Sequence, residues 1–170
     1  MKKLLFYPFA LLFVASILFT SCSRNSRSVE INGVRWATAN VETPRRFASS
    51  ATNIGGFFTF DEAQRACPRG WRLPTREEFE SLRDAGDSEW AVVNEVNGSF
   101  FGTENDYIFL PAAGLRLVNG ELIHAGTIGY YWSSTPLSRA NRWHLWLTET
   151  NSDVSNHNRV NGFNVRCVAK

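Results

Sequence analysis

The residues of this 170-residue chain best equipped for chemistry are its cysteines, its histidines and a few groups of carboxylates. Cys67 lies in the stretch Thr59–Thr75, TFDEAQRACPRGWRLPT, with Glu62, Arg65 and Arg69 close by. Cationic neighbours favour a reactive thiolate, but a nucleophile of this kind also needs a base. The three histidines stand far away in the chain, at His124, His144 and His157. His144 and His157 can meet across neighbouring strands, yet zinc takes three or four ligands. Glu104, Asn105 and Asp106 carry oxygens suited to a hard cation, although a clustered acidic loop is more commonly just solvated. Glu77, Glu78 and Glu80 lie around one helix and do not converge as a glycosidase pair would. No catalytic set, metal site or cofactor is expected, and the protein reads as a non-enzyme.

A binding surface is easier to find. Arg142–Leu147, RWHLWL, alternates as a strand does, with Trp143, Leu145 and Leu147 on one face and Arg142, His144 and Trp146 on the other. Trp146, Tyr130 and Trp132 offer an aromatic platform for sugar rings or a peptide. Trp132 is expected in the core, with whichever of Tyr130 and Tyr131 faces inward. Contacts are therefore placed at Trp146, Arg142 and His144, beside the polar loops Thr135–Arg142 and Thr148–Arg159, since binding residues gather on loops.

The chain opens with Lys2 and Lys3, an apolar run from Leu4 to Phe19, and the small residues Thr20 and Ser21. This is the pattern of a secretory signal over residues 1–21. The run is shorter than the roughly 20 residues a spanning helix needs. Phe19-Thr20-Ser21-Cys22 resembles a bacterial lipobox, which implies acyl chains on Cys22. Several such chains hold a protein stably on a membrane. The alternatives are a plain secreted protein cleaved near Ser21, or an uncleaved anchor helix. Residues 22–28 then form a tether and 29–170 the domain. The expected location is a bacterial envelope, as an outer membrane lipoprotein on its periplasmic or surface face.

Composition narrows the partners. The precursor has 18 basic and 16 acidic residues. Lys2 and Lys3 leave with the signal, so the mature chain is formally neutral. No net field draws it to nucleic acid or to an acidic membrane surface. Lys170 is then the sole lysine, and every other cation is arginine. That bias suits bidentate anion contacts, or simply a solvated surface with internal salt bridges. With Cys22 used by the lipid, Cys67 and Cys167 remain as a pair. In an exported protein an even remainder implies a disulfide; a catalytic Cys67 is the alternative.

Asn32-Gly33 between Val29/Ile31 and Val34/Trp36 predicts a hairpin. The polar stretch Glu42–Gly56 reads as a loop. Thr59 with Glu62, and Thr75 with Glu78, are two capping boxes. Pro68 and Gly70 end the first helix, while Phe79, Leu82 and Ala85 form the apolar face of the second. Trp90–Val96 fits a helical turn or a strand. Tyr107–Leu110, a Leu115–Ile123 hairpin, Tyr130–Ser133, Arg142–Leu147 and a short segment at Val154 read as β. Phe163, Val165 and Cys167 point inward from the last strand.

These residues carry a resemblance. Ala63-Gln64-Arg65-Ala66-Cys67-Pro68, Gly70-Trp71-Arg72-Leu73-Pro74-Thr75, Leu110-Pro111-Ala112-Ala113-Gly114, Tyr131-Trp132-Ser133-Ser134-Thr135 and Val165-Arg166-Cys167-Val168 resemble the Fibrobacter succinogenes major paralogous domain. Asn32-Gly33-Val34-Arg35-Trp36-Ala37-Thr38 fits it as well. That family is similar in pattern to C-type-lectin-like domains. The implied fold is α+β: two short helices packed on twisted antiparallel sheets with long loops, the Cys67 helix fastened to the last strand through Cys167. Formylglycine-generating enzymes share a distantly related fold, but their catalytic cysteines have no counterpart here. The calcium site of true C-type lectins needs a Glu/Gln-Pro-Asn/Asp loop and a Trp-Asn-Asp strand. Neither stands here, so calcium and sugar ligands are not carried over. The resemblance implies a ligand-binding domain for a glycan or an envelope protein, or a structural accessory of a surface assembly.

Overall fold

The computed structural model describes residues 27–86 and 88–170. The stretch read as a signal, Cys22 read as the site of lipid attachment, and most of the expected tether lie outside the described residues. Among those described, no helix is long and apolar enough to cross a membrane.

The domain opens with β1 (Ser28–Ile31) and β2 (Val34–Ala37), paired antiparallel with Ile31 opposite Val34. Asn32 and Gly33 make the two-residue turn at φ 49° and 75°. Such a turn matches the twist of the strands, and Gly takes its left-handed second position without strain. The stretch expected as a loop contains β3 (Val41–Thr43) and β4 (Arg46–Phe47). Their pairing is irregular between Val41 and Thr43, and a bulged, polar two-stranded ladder leaves no alternation to read.

Helix α1 is shorter than the periodicity implies, running only from Phe60 to Ala63. The amides of Arg65 and Ala66 then donate to Glu62 and Ala63, three residues back, so the chain tightens before Pro68. Cys67, the residue before that proline, stands beyond the helix, as the steric restriction on such positions requires. Glu62 accepts from both the amide and the hydroxyl of Thr59, each at 2.8 Å. After β5 (Trp71–Arg72), α2 (Arg76–Arg83) carries a full reciprocal cap. Thr75 Oγ1 accepts from the Glu78 amide, and the Glu78 carboxylate accepts from the Thr75 amide. A cap of this kind is worth about 1 kcal/mol.

The rest is β. β6 (Glu89–Val93), β7 (Val96–Gly102) and β8 (Tyr107–Pro111) form one antiparallel sheet. Its first turn sets Asn94 and Glu95 at φ 48° and 66°; a glutamate there is no turn signal, which is why helix and strand both fitted. β9 (Leu115–Arg116) and β10 (Leu122–Ile123) make the expected small hairpin. β11 (Gly129–Pro136), β12 (Asn141–Leu147) and β13 (Ser152–Asn158) form the third sheet. Finally β14 (Val168–Ala169) enters between β2 and β5 to complete a four-stranded sheet.

Two short helices on several small antiparallel sheets make a mainly β, α+β domain. Its core has two parts on opposite faces of the β11–β12–β13 sheet. Tyr131, Leu145, Leu147 and Val154 pack with Trp36, Phe79, Leu82 and Leu110 on one side. Trp132 packs with Phe60, Leu73, Phe163, Val165 and Cys167 on the other. Tyr131 and Trp132, adjacent on one strand, are both sealed because each face has its own cover.

The segment between β13 and β14 is the spine. Gly162–Val168 is buried throughout. Phe163 exchanges backbone hydrogen bonds with Phe58, and the amides of Val41 and Ala37 donate to Val165 and Cys167. On its other side the Asn164 amide donates to Tyr130, and the Trp132 amide to Asn164. Cys67 and Cys167 form the disulfide, with Cα atoms 6.0 Å apart and 100 residues between them.

Candidate functional site

The disulfide removes the free thiol, so Cys67 is a fastening of the fold and no nucleophile while oxidised. Among the described residues, no group of three or more histidine, cysteine or acidic side chains is placed to hold a metal ion. Glu104 and Asp106 are exposed in the β7–β8 turn. Glu78 and Glu80 are engaged by Arg72 and Arg76, at 2.6 and 2.8 Å.

The histidines do converge, although not as ligands. Rings of His144 and His157 meet at 6.0 Å, and both touch Phe163. His124 stacks on Tyr130 and shares a 2.9 Å hydrogen bond with its hydroxyl. His144 is only 3 % exposed, under Tyr130, Trp132 and Phe163. Burial, helped by the neighbouring charge of His157, pushes it down to about 3, against a smaller upward pull from its backbone bond with Ser155. At neutral pH it is an uncharged ring in an aromatic stack.

Arg142, His144 and Trp146 share one face of β12, as the alternation predicts, but the spine covers part of that face. Arg142 lays its guanidinium over Phe60 at 4.6 Å and donates to the carbonyls of Ser138 and Asn141. His144 lies against Phe163 and Arg142 against Phe60, while Trp146 is half-buried. It sits in a cross-strand row with Tyr130 on one side and Asp153 on the other. Tyr130 is half-buried, Asp153 and His124 are exposed. Asp153 accepts from Arg83 at 2.6 Å. Beside it opens a polar hollow of about 420 Å³, lined by Arg83, Ser88, Thr150 and Asn151 among others. The row joins apolar ring surface to polar groups at its edge, the combination by which small polar ligands are held and oriented.

A second concavity was not foreseen. A cleft of about 1000 Å³ gathers Arg27, Arg45, Arg46 and Arg69 around Phe47 and Trp71. Those two rings meet edge to face at 5.2 Å. The available sequence signals were the arginine bias and the Pro44-Arg45-Arg46 run. Nothing local says that Arg27 and Arg69 join it.

A family model described as the Fibrobacter succinogenes major domain matches residues 23–169. The chain belongs to that family. The match spans both core halves, the disulfide and the whole Tyr130–Trp146–Asp153 row, and it begins within the stretch read as the tether. No curated protein and no solved structure matches the chain significantly.

Proposed function

We propose that this Fibrobacter succinogenes major domain is a non-enzymatic, glycan-binding module anchored in a bacterial envelope by a lipid on Cys22. The observation behind the reading is the row Tyr130–Trp146–Asp153, with two aromatic side chains and a carboxylate side by side on one sheet face. A sugar ring stacks its apolar face on an indole, and its hydroxyls donate to a neighbouring carboxylate. Asp153, at the end of the row, also lines the polar hollow at Arg83, Thr150 and Asn151, where a further sugar unit would lie. A C-type-lectin-like architecture belongs to the same reading: helices and disulfide hold the core while the β11–β13 end is left to the ligand. Binding here uses aromatic stacking in place of calcium.

A glycan array with the purified chain and its Trp146→Ala variant tests the reading. The expected result is a defined set of glycans whose binding weakens about tenfold or more in the variant, the order of loss for an anchoring aromatic. The melting temperature should stay within a few degrees. A well-folded sample that binds no glycan overturns it. Capture of a stoichiometric envelope protein instead would support a structural accessory role.

A further inference from the structure

Three segments far apart in the chain bring arginine to one cleft: Arg27 before β1, Arg45 and Arg46 at the β3–β4 turn, and Arg69 after the Pro68 stop. The four arginines are exposed, so their mutual repulsion at neutral pH is partly screened by water and salt, and an anion among them relieves it. No carboxylate lines the cleft. Glu42 holds Arg46 at 2.8 Å from its edge. Among the described residues, Arg27, Arg45 and Arg69 make no ion pair. Guanidinium groups are shaped for bidentate bonds to phosphate oxygens. The Phe47 and Trp71 rings give the cleft an apolar wall, and an amphipathic aromatic residue such as tryptophan suits the membrane interface.

Position supplies the second argument. Arg27 is the fifth residue after Cys22. A chain spans at most about 3.6 Å per residue, so the cleft's first arginine lies within about 18 Å of the lipid-bearing residue. A tether that lies along the bilayer therefore brings this arginine to the headgroup layer. We propose that this cleft binds the phosphate of an anionic membrane headgroup, giving the domain a second hold that sets its orientation on the bilayer. The inference takes the lipid anchor on Cys22 from the proposed function and is independent of the glycan row. It also locates the side of the molecule that faces the membrane.

The test uses the full chain purified from the envelope of an expressing bacterium. It is bound to vesicles of phosphatidylcholine alone, or with about a third phosphatidylglycerol, and hydrogen exchange is read at the hydrogen-bonded amides of Arg45, Ala48 and Trp71. Slowing of about fivefold or more on the anionic vesicles is expected. The Arg45→Gln/Arg69→Gln double variant should lose this slowing while keeping its disulfide and its circular dichroism. Equal exchange on the two vesicle types overturns the proposal. So does protection by inorganic phosphate in solution without any effect of anionic vesicles, which would assign the cleft to a soluble phosphate. Sedimentation with the neutral vesicles reads the anchor separately. A chain left in that supernatant refutes the lipid on Cys22, while the cleft is still judged by its exchange on anionic vesicles.

Discussion

Arg166 donates from Nε to Asn40 Oδ1 at 2.9 Å, and both side chains are wholly sealed from solvent. The other two nitrogens of the guanidinium donate to the carbonyls of Ala37 and Phe109, at 3.0 and 2.9 Å. No carboxylate joins this group among the described residues. Asn40 also donates to Ile54 O, and Tyr131 donates to Pro111 O. One buried cation thus ties the spine to the β2 end and to β8. Burial pushes Arg166 down to about 10, with Tyr131 pulling the other way, and pushes Tyr131 up to about 12. Both stay in their ordinary neutral-pH forms.

Removing Arg166 leaves buried carbonyls and Asn40 without their donor. Arg166→Ala should cost at least about 3 kcal/mol by urea denaturation. Asn40→Ala, which strips the guanidinium of one acceptor, should cost about 2 kcal/mol. The double variant should fall short of the sum, by roughly 0.5–3 kcal/mol, because the two act as a unit. Additive losses would mean that the pair is not coupled.

Acid should destabilise the fold through His144. Its folded value, about 3, lies below the ordinary 6.5, so between these limits the unfolded chain binds the extra proton. Stability is then fully present above about pH 6.5 and falls as the pH drops toward 3. His157 is lowered in the same direction, again by burial. Going from pH 7 to pH 5 should cost about 2 kcal/mol, at 1.36 kcal/mol per unit for one such group. Denaturation curves at the two pH values measure it. A His144→Asn variant should lose most of the dependence.

The Cys67–Cys167 bond closes a loop of 100 residues. In the chain-entropy account such a closure stabilises by up to about 4.7 kcal/mol. Comparing the oxidised chain with the Cys67→Ala/Cys167→Ala double variant in urea should show a loss approaching that size. The native oxidised protein should also resist alkylation by a thiol reagent at both positions.

Glu78 binds Arg72 through both oxygens, at 2.7 and 2.6 Å, while capping α2 through the Thr75 amide. Burial alone would raise its carboxyl. The hydrogen bonds from Arg72 and the Thr75 amide, with the charge of Arg72, outweigh that and hold it below the ordinary range. Glu78→Gln should cost about 1–2 kcal/mol, and Thr75→Ala about 1 kcal/mol. The stability owed to Glu78 is present above its unfolded value near 4.5 and lost as pH falls through the lower folded one, so Glu78→Gln should converge with wild type in strong acid, whereas Thr75→Ala, which loses a hydroxyl acceptor that does not titrate, should keep its deficit. Thermal melts across that range give the comparison.

Local chemistry was readable directly from the chain. The Asn32-Gly33 turn, both Thr/Glu caps, the β12 alternation and the inward Phe163, Val165 and Cys167 all rest on neighbours within about four residues. The shortened α1 and the Asn94-Glu95 turn were not, because a following proline and the neighbouring strands override weak local preference there. Arg166 reads as a surface cation by type. It is buried because the chain around it closes over both faces of its strand-like segment.

By itself the sequence determined both capped helices, most of the strands, the cysteine pair and the family, since these depend on residue identity and short spacing. Only the tertiary structure decided what each face meets. It covered His144 with the Phe163 spine, left Trp146 between Tyr130 and Asp153, and drew Arg27, Arg45, Arg46 and Arg69 from a neutral chain into one cleft. Net charge sums over the whole chain, whereas binding responds to where the charges lie. That placement follows from contacts between segments tens to a hundred residues apart, which no local pattern records.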